Sequence, residues 1–145
     1  MKYWALALYA VSTLAAAQVE VQDPWTRATA PGSKIAAGYM TIRNDAASPD
    51  RLVGAASPLA ERVEMHVHIK DGDVVRMREV KAYDLPAKGT FELKPGAAHL
   101  MFIGIKHPFK EGEKVPATLR FEHGGTLNVE FRVGGLGDTV PHKGH

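Results

Sequence analysis

Val115-Pro116-Ala117-Thr118-Leu119-Arg120-Phe121-Glu122 and Thr126-Leu127-Asn128-Val129-Glu130-Phe131-Arg132-Val133 alternate apolar and polar residues on either side of His123-Gly124-Gly125. Alternation with a period of two is that of a pleated strand, whose side chains point to opposite faces in turn. The stretch reads as a hairpin with one buried face. A three-residue loop at 123–125 pairs Phe121 with Leu127 and Leu119 with Val129, whereas a two-residue loop would set Phe121 against Asn128. The hydrophobic pattern selects the longer loop.

The same grammar recurs along the chain. Short alternating runs stand between Gly, Pro, Asn and Asp residues at Ala36–Arg43, Arg62–Ile69, Val74–Val80, Thr90–Lys94 and Ala98–Ile105. No run carries a helical period over eleven or more residues, and no repeat or linker divides the chain. Together with the hairpin strands Val115–Glu122 and Thr126–Val133, these runs predict an all-β domain. Its architecture is a sandwich or small barrel.

The chain has 145 residues, enough for one domain with a proper core. Lys2, the apolar run Tyr3–Leu14 and Ala15-Ala16-Ala17 have the pattern of a secretory signal peptide, too short to span a bilayer as a helix. The expected organisation is a cleaved segment 1–17, a domain 18–136 and a flexible histidine-containing tail 137–145. The expected consequence is export from the cytoplasm. There is no cysteine, hence no thiolate ligand, no redox dithiol and no site for a lipid. The formal charge of +2, which falls to +1 without Lys2, gives no reason to expect nucleic acid or an anionic membrane as partner.

A second hairpin carries the chemistry. Asp71-Gly72 is a strong two-residue turn signal, and with it at the centre His66 lies across from Met77. Directly opposed Cβ atoms are about 4.5–5.5 Å apart, close enough for both side chains to reach one ion. A three-residue loop would instead pair Met77 with Met65 and make both core residues. His99 and Met101 are two apart on another strand and share a face. Four donors, His66, Met77, His99 and Met101, could therefore converge, although the twenty-one residues between Met77 and His99 have no local geometric account. Imidazole plus thioether is a soft, neutral set, suited to Cu(I) and poor for Mg²⁺ or Ca²⁺.

Blander readings stand beside this one. Met77 and Met101 could be core filler, and His66 a surface strand residue. His68 shares the face of His66 and reads as a solvated neighbour or a support for it, while Met65 faces the core. His107 and His123 look structural or incidental, and His142 and His145 lie in the tail. Trp25, Arg27, Tyr39 and Phe109 read as core or edge residues. No Ser-His-Asp order, paired-carboxylate pocket or phosphate loop stands out. His66-Val67-His68-Ile69-Lys70-Asp71 does not match the His-x-His-x-Asp-His run of metallo-β-lactamase-like hydrolases, because Asp71 comes one place late and the next histidine is missing.

The spacing His66, ten residues, Met77, twenty-one residues, His99-Leu100-Met101 resembles the metal motif of the PCuAC family of periplasmic copper chaperones. So do Pro24-Trp25-Thr26-Arg27-Ala28, Ala36-Ala37-Gly38-Tyr39-Met40-Thr41-Ile42, Asp50-Arg51-Leu52-Val53-Gly54, Arg76-Met77-Arg78 and Gly104-Ile105-Lys106 with Glu111-Gly112 after it. The resemblance spans Val19 to Val133. It implies a cupredoxin-like Greek-key β-sandwich or barrel of about seven to eight strands that binds one Cu(I) through His66, Met77, His99 and Met101. The implied role is non-enzymatic delivery to the binuclear copper site of cytochrome c oxidase, with subunit II or a Sco-type protein as acceptor and a monomeric donor. Protonation of His66 or His99 should weaken binding as pH falls toward about 6. The alternatives are a zinc enzyme using His66, His68 and His99, and a metal-independent interaction domain. A blue-copper electron carrier would need a thiolate.

Overall fold

The computed structural model describes residues 18–140. The expected signal segment and His142 and His145 lie outside the described residues. Ten strands follow in chain order: β1 (Val19–Arg27), β2 (Ile35–Asn44), β3 (Asp50–Ala56), β4 (Ala60–Asp71), β5 (Val74–Val80), β6 (Tyr83–Leu85), β7 (Gly89–Leu93), β8 (His99–Ile105), β9 (Lys114–Phe121) and β10 (Gly125–Gly134). No helix is present among the described residues, and none there is long and apolar enough to cross a membrane.

Seven strands close on themselves in the order β4-β8-β2-β1-β10-β9-β3, the circuit being completed where Ala55 of β3 meets Val63 of β4. β1 and β10 run parallel, and the other neighbours in the circuit are antiparallel. Three strands lie outside the circuit: β5 on β4, β6 on β3 and β7 on the second half of β2. Of the seven strands expected, five lie in the barrel; Val74–Val80 and Thr90–Lys94 are the marginal β5 and β7, and β1 and β3 complete the circuit instead.

Closure leaves an interior that only apolar side chains can fill, since no water would satisfy polar groups there. Leu100 and Phe102 of β8, Met40 and Ile42 of β2, Leu119 of β9 and Phe131 and Val133 of β10 are almost fully buried. Phe102 meets Phe131 and Phe109 edge-on, with centroids 5.4 and 6.0 Å apart, the geometry that aromatic quadrupoles favour. Trp25, Tyr39 and Phe109 are buried, as expected.

β1, β3 and β6 escape sequence reading because their alternation is broken. β1 shifts register between Gln22 and Trp25, where Asp23 takes φ 50° and is followed by Pro24. β3 shifts between Leu52 and Gly54, and β6 is only three residues long. A bulge re-aims every later side chain, so a period-two test fails across it.

Both hairpins correct the expected pairing. At the end of β9, Phe121 pairs with Gly125 and Leu119 with Leu127, so the three-residue loop is 122–124. The buried carboxylate of Asp50 holds it there, accepting from the amides of His123 and Gly124 at 2.9 Å each. Between β4 and β5, Asp71 pairs with Val74, so the two-residue turn is Gly72-Asp73. Gly72 sits at the first central position with φ 62°, and Asp73 stays at negative φ. That is the pattern of a type II′ turn, which wants glycine first.

Candidate metal centre

Three strands present the candidate ligands, and β4 is the one they share. Across β8, Glu64 faces Met101 and His66 faces His99; across β5, His66 faces Glu79 and His68 faces Met77. Directly opposed residues share a face. Glu64, His66, His68, Met77, Glu79, His99 and Met101 therefore all stand on the outside of the barrel wall. Met65, Val67, Leu100 and Phe102 project the other way and belong to the core.

The expectation that His66 lies across from Met77 is overturned: His68 occupies that place, and His66 faces Glu79. The turn sits one residue later than Asp71-Gly72, which moves each partner by two. Faces are unchanged, so Met77 stays on the side of His66, and the pairing of Met77 with Met65 is excluded. The interval between Met77 and His99 now has a structural meaning. The chain leaves β5, pairs with β3 as β6 and with β2 as β7, and only then enters the barrel beside β4 as β8.

His99 is packed between its neighbours at 4% exposure. Its ring centroid lies 5.5 Å from that of His66, 5.3 Å from that of His68 and 6.5 Å from that of Tyr39. An imidazole nitrogen sits about 2.0–2.1 Å from a bound metal, and the ring centre about 1.2 Å further on, so two imidazoles on one tetrahedral ion have centroids about 5 Å apart. The separations of His66 and of His68 from His99 are close to that value. Met101 is 8% exposed and stands outside the core cluster, whereas Met77 on β5 is 57% exposed.

The ring nitrogens carry the chemistry. His99 Nδ1 donates to the Ala97 carbonyl at 3.2 Å, which leaves Nε2 as a lone pair. His66 Nε2 donates to Glu64 Oε1 at 3.0 Å, which leaves Nδ1 as a lone pair. Both remaining nitrogens, His66 Nδ1 and His99 Nε2, are buried with no hydrogen-bond partner among the described residues. A buried acceptor without a partner costs about 1–3 kcal/mol, and bound metal is a common reason to retain two side by side.

Burial pushes the His99 imidazole below its ordinary pKa; the Ala97 carbonyl opposes that shift, and the charges of His66 and His68 add to it. His99 is therefore held neutral, the form that binds metal. The hydrogen bond from His66, then that from Arg62, holds the Glu64 carboxyl below the usual range. Carboxylate oxygens of Glu64 and Glu79 and one His66 nitrogen lie within 4.8 Å of one another, a harder donor group beside the two imidazoles.

Sequence reading missed three supporting residues. The Tyr83 hydroxyl lies 2.6 Å from the carbonyl of His66 and 2.8 Å from that of His99, tying β4 to β8 where their pairing ends. Tyr39 packs on Trp25 at 4.8 Å and backs His99. Glu64 was discoverable, because it lies two residues from His66 by the same alternation that joined His99 to Met101. His68 was singled out, and the structure brings it beside His99. His107 and His123 lie in exposed turns apart from the cluster.

Comparison with known proteins agrees with this architecture. The copper-bound PCuAC domain from PmoF2 superposes with a TM-score of 0.71 at 27% identity, covering 81% of this chain and 93% of that one. The apo and Cu(I) solution structures of DR1885 from Deinococcus radiodurans give TM-scores of 0.64 and 0.63 at 38% and 35% identity, and cover 83% and 86% of this chain and 80% and 85% of theirs. The putative lipoprotein Lxx21020 of Leifsonia xyli subsp. xyli is 33% identical over 116 residues, 79% of this chain and 69% of that protein. The model of the family described as putative lipoprotein LpqE-like matches residues 19–133, and with a PCuAC-type fold around its outward-facing histidines and methionines, this chain belongs to that family.

Proposed function

We propose that this protein is a copper chaperone that binds one Cu(I) through His66 Nδ1, His99 Nε2 and the thioethers of Met77 and Met101. The observation that carries the reading is the pair of buried, unpartnered imidazole nitrogens on the face that also bears both methionines. Neutral nitrogen and sulfur donors suit the soft, reduced ion. The copper-bound PmoF2 domain and Cu(I)-DR1885 are relatives of the same fold that bind copper, which supports extending the property to this chain.

Copper is the cargo, and the site's asymmetry suggests how it changes hands. His99 and Met101 are fixed in the barrel wall, while Met77 stands on an exposed strand. An incoming acceptor ligand can replace the Met77 thioether first, with the remaining donors still holding the ion, so copper is never free in solution. Thioethers leave readily because they are weak ligands and do not compete with protons near neutral pH. No covalent chemistry on a substrate is required, so the protein acts as a carrier and not an enzyme. The acceptor implied by the family resemblance is the binuclear copper site of cytochrome c oxidase subunit II, reached directly or through a Sco-type protein. An exported, periplasmic location accords with the lipoprotein names of the family and its relative.

The test is a competition titration with a chromophoric Cu(I) chelator, comparing the wild type with Met77→Leu/Met101→Leu. One tight equivalent that is strongly weakened in the double variant supports the site; equal binding by both refutes it. A zinc site is the second reading, favoured by the approach of His66 and His68 to His99. Zinc retention that is lost in His68→Ala and indifferent to the methionine changes would select it.

A further inference from the structure

The two histidines leave opposite nitrogens unpartnered, Nδ1 of His66 and Nε2 of His99, and different groups enforce the choice. A neutral imidazole has one N–H and one lone pair, so whatever accepts the N–H decides which nitrogen can take a metal. For His99 the acceptor is the backbone carbonyl of Ala97, which no substitution can remove. For His66 it is a side chain: Glu64 Oε1 lies 3.0 Å from Nε2. A carboxylate accepts and does not donate, so Nε2 must carry the hydrogen and Nδ1 the lone pair. Glu64 is itself held, because Arg62 Nε donates to its other oxygen, Oε2, at 2.9 Å. Residues 62, 64 and 66 alternate along β4 and so form one row on the outer face.

As a surface ion pair with Arg62 alone, Glu64 would contribute little. Its contact with His66 is different, since the two side chains are only 22% and 15% exposed and the bond is largely shielded from water. We propose that Glu64 is a positioning residue: it selects the Nε2–H form of His66 and so directs the Nδ1 lone pair toward the metal. The inference rests on the copper reading of the site, but its first consequence concerns the metal-free protein.

Two measurements on the full domain at pH 8 test it. Long-range ¹H–¹⁵N correlations of the histidine rings in the metal-free protein should show His66 with hydrogen on Nε2 and His99 with hydrogen on Nδ1. In Glu64→Ala the His66 pattern should change to a mixture or to Nδ1–H, with His99 unchanged. Chelator competition should then show Cu(I) affinity reduced about 10–100-fold, the usual loss when a group that orients a metal ligand is removed. Glu64→Gln, whose amide oxygen can still accept from Nε2, should restore the ring pattern and most of the affinity. An unchanged His66 ring in Glu64→Ala, or unchanged affinity, overturns the proposal. If the wild type itself fails to bind Cu(I) tightly, the copper reading falls, and the ring correlations still decide what Glu64 does.

Discussion

β8 and β5 flank the same strand and each brings a methionine to the same face, yet the two thioethers are held very differently. Met101 belongs to a strand paired on both edges inside the closed barrel, and its neighbours Leu100 and Phe102 are anchored in the core. Met77 belongs to a strand paired only with β4, six of whose seven residues are exposed. Burial fixes a side chain by denying it alternatives, and an edge strand leaves it free. The proposed carrier would have use for both: the wall to retain the ion, and the edge as the position where another protein enters.

The comparison breaks most visibly in stability. Leu100→Ala empties a fully buried site and should cost about 2–5 kcal/mol in urea unfolding. Val75→Ala on exposed β5 should stay within about 0.5 kcal/mol. Similar losses for both would show that β5 is as much a part of the cooperative structure as β8.

Tyr83→Phe addresses the join between β4 and β8. It removes the hydroxyl that serves the carbonyls of His66 and His99 and leaves the buried ring in place. A loss of about 1–2 kcal/mol is expected from the acceptors left without a donor. Metal-free spectra should show shifts at His66 and His99 and little change on β5. Shifts spread evenly over both strands would mean that the hydroxyl does not act at this join.

The smallest effect concerns pH. Burial lowers the pKa of His99 in the folded protein, so the unfolded chain binds a proton more readily there. Stability contributed by His99 is complete above its ordinary value of 6.5 and is lost as pH falls from there toward the folded pKa. Metal-free wild type should therefore weaken between pH 7.5 and 5.5, and His99→Gln should show a flatter slope. Equal slopes would remove His99 as the cause. The same shift modifies the expectation that Cu(I) binding weakens near pH 6, since proton competition at His99 is displaced below the usual imidazole range.

Much of the site was legible because alternation is a local property. It assigned His66, His99 and Met101 to one kind of face, Met65 to the other, and gave the hairpin of β9 and β10 its loop length, while the loop length between β4 and β5 rested on the Asp-Gly turn signal. It could not fix the pairing. A turn displaced by one residue moves partners by two, and a two-residue slip returns every side chain to its original face. No hydrophobic pattern can therefore tell His66 from His68 as the residue opposite Met77. The choice fell to the backbone at Gly72 in one hairpin and to the Asp50 carboxylate in the other.

By itself the sequence determined an all-β chain without cysteine and the faces on which the candidate histidine and methionine donors lie. Composition and period are carried by neighbouring residues, and neighbours suffice to read them. The tertiary structure alone decided that β8 enters beside β4 after the excursion through β6 and β7. It also decided that Met101 is walled in while Met77 is not, and that Glu64 and the Ala97 carbonyl set the two imidazoles in opposite senses. Those outcomes depend on which strands close the barrel, and closure joins segments far apart in sequence that no local pattern relates.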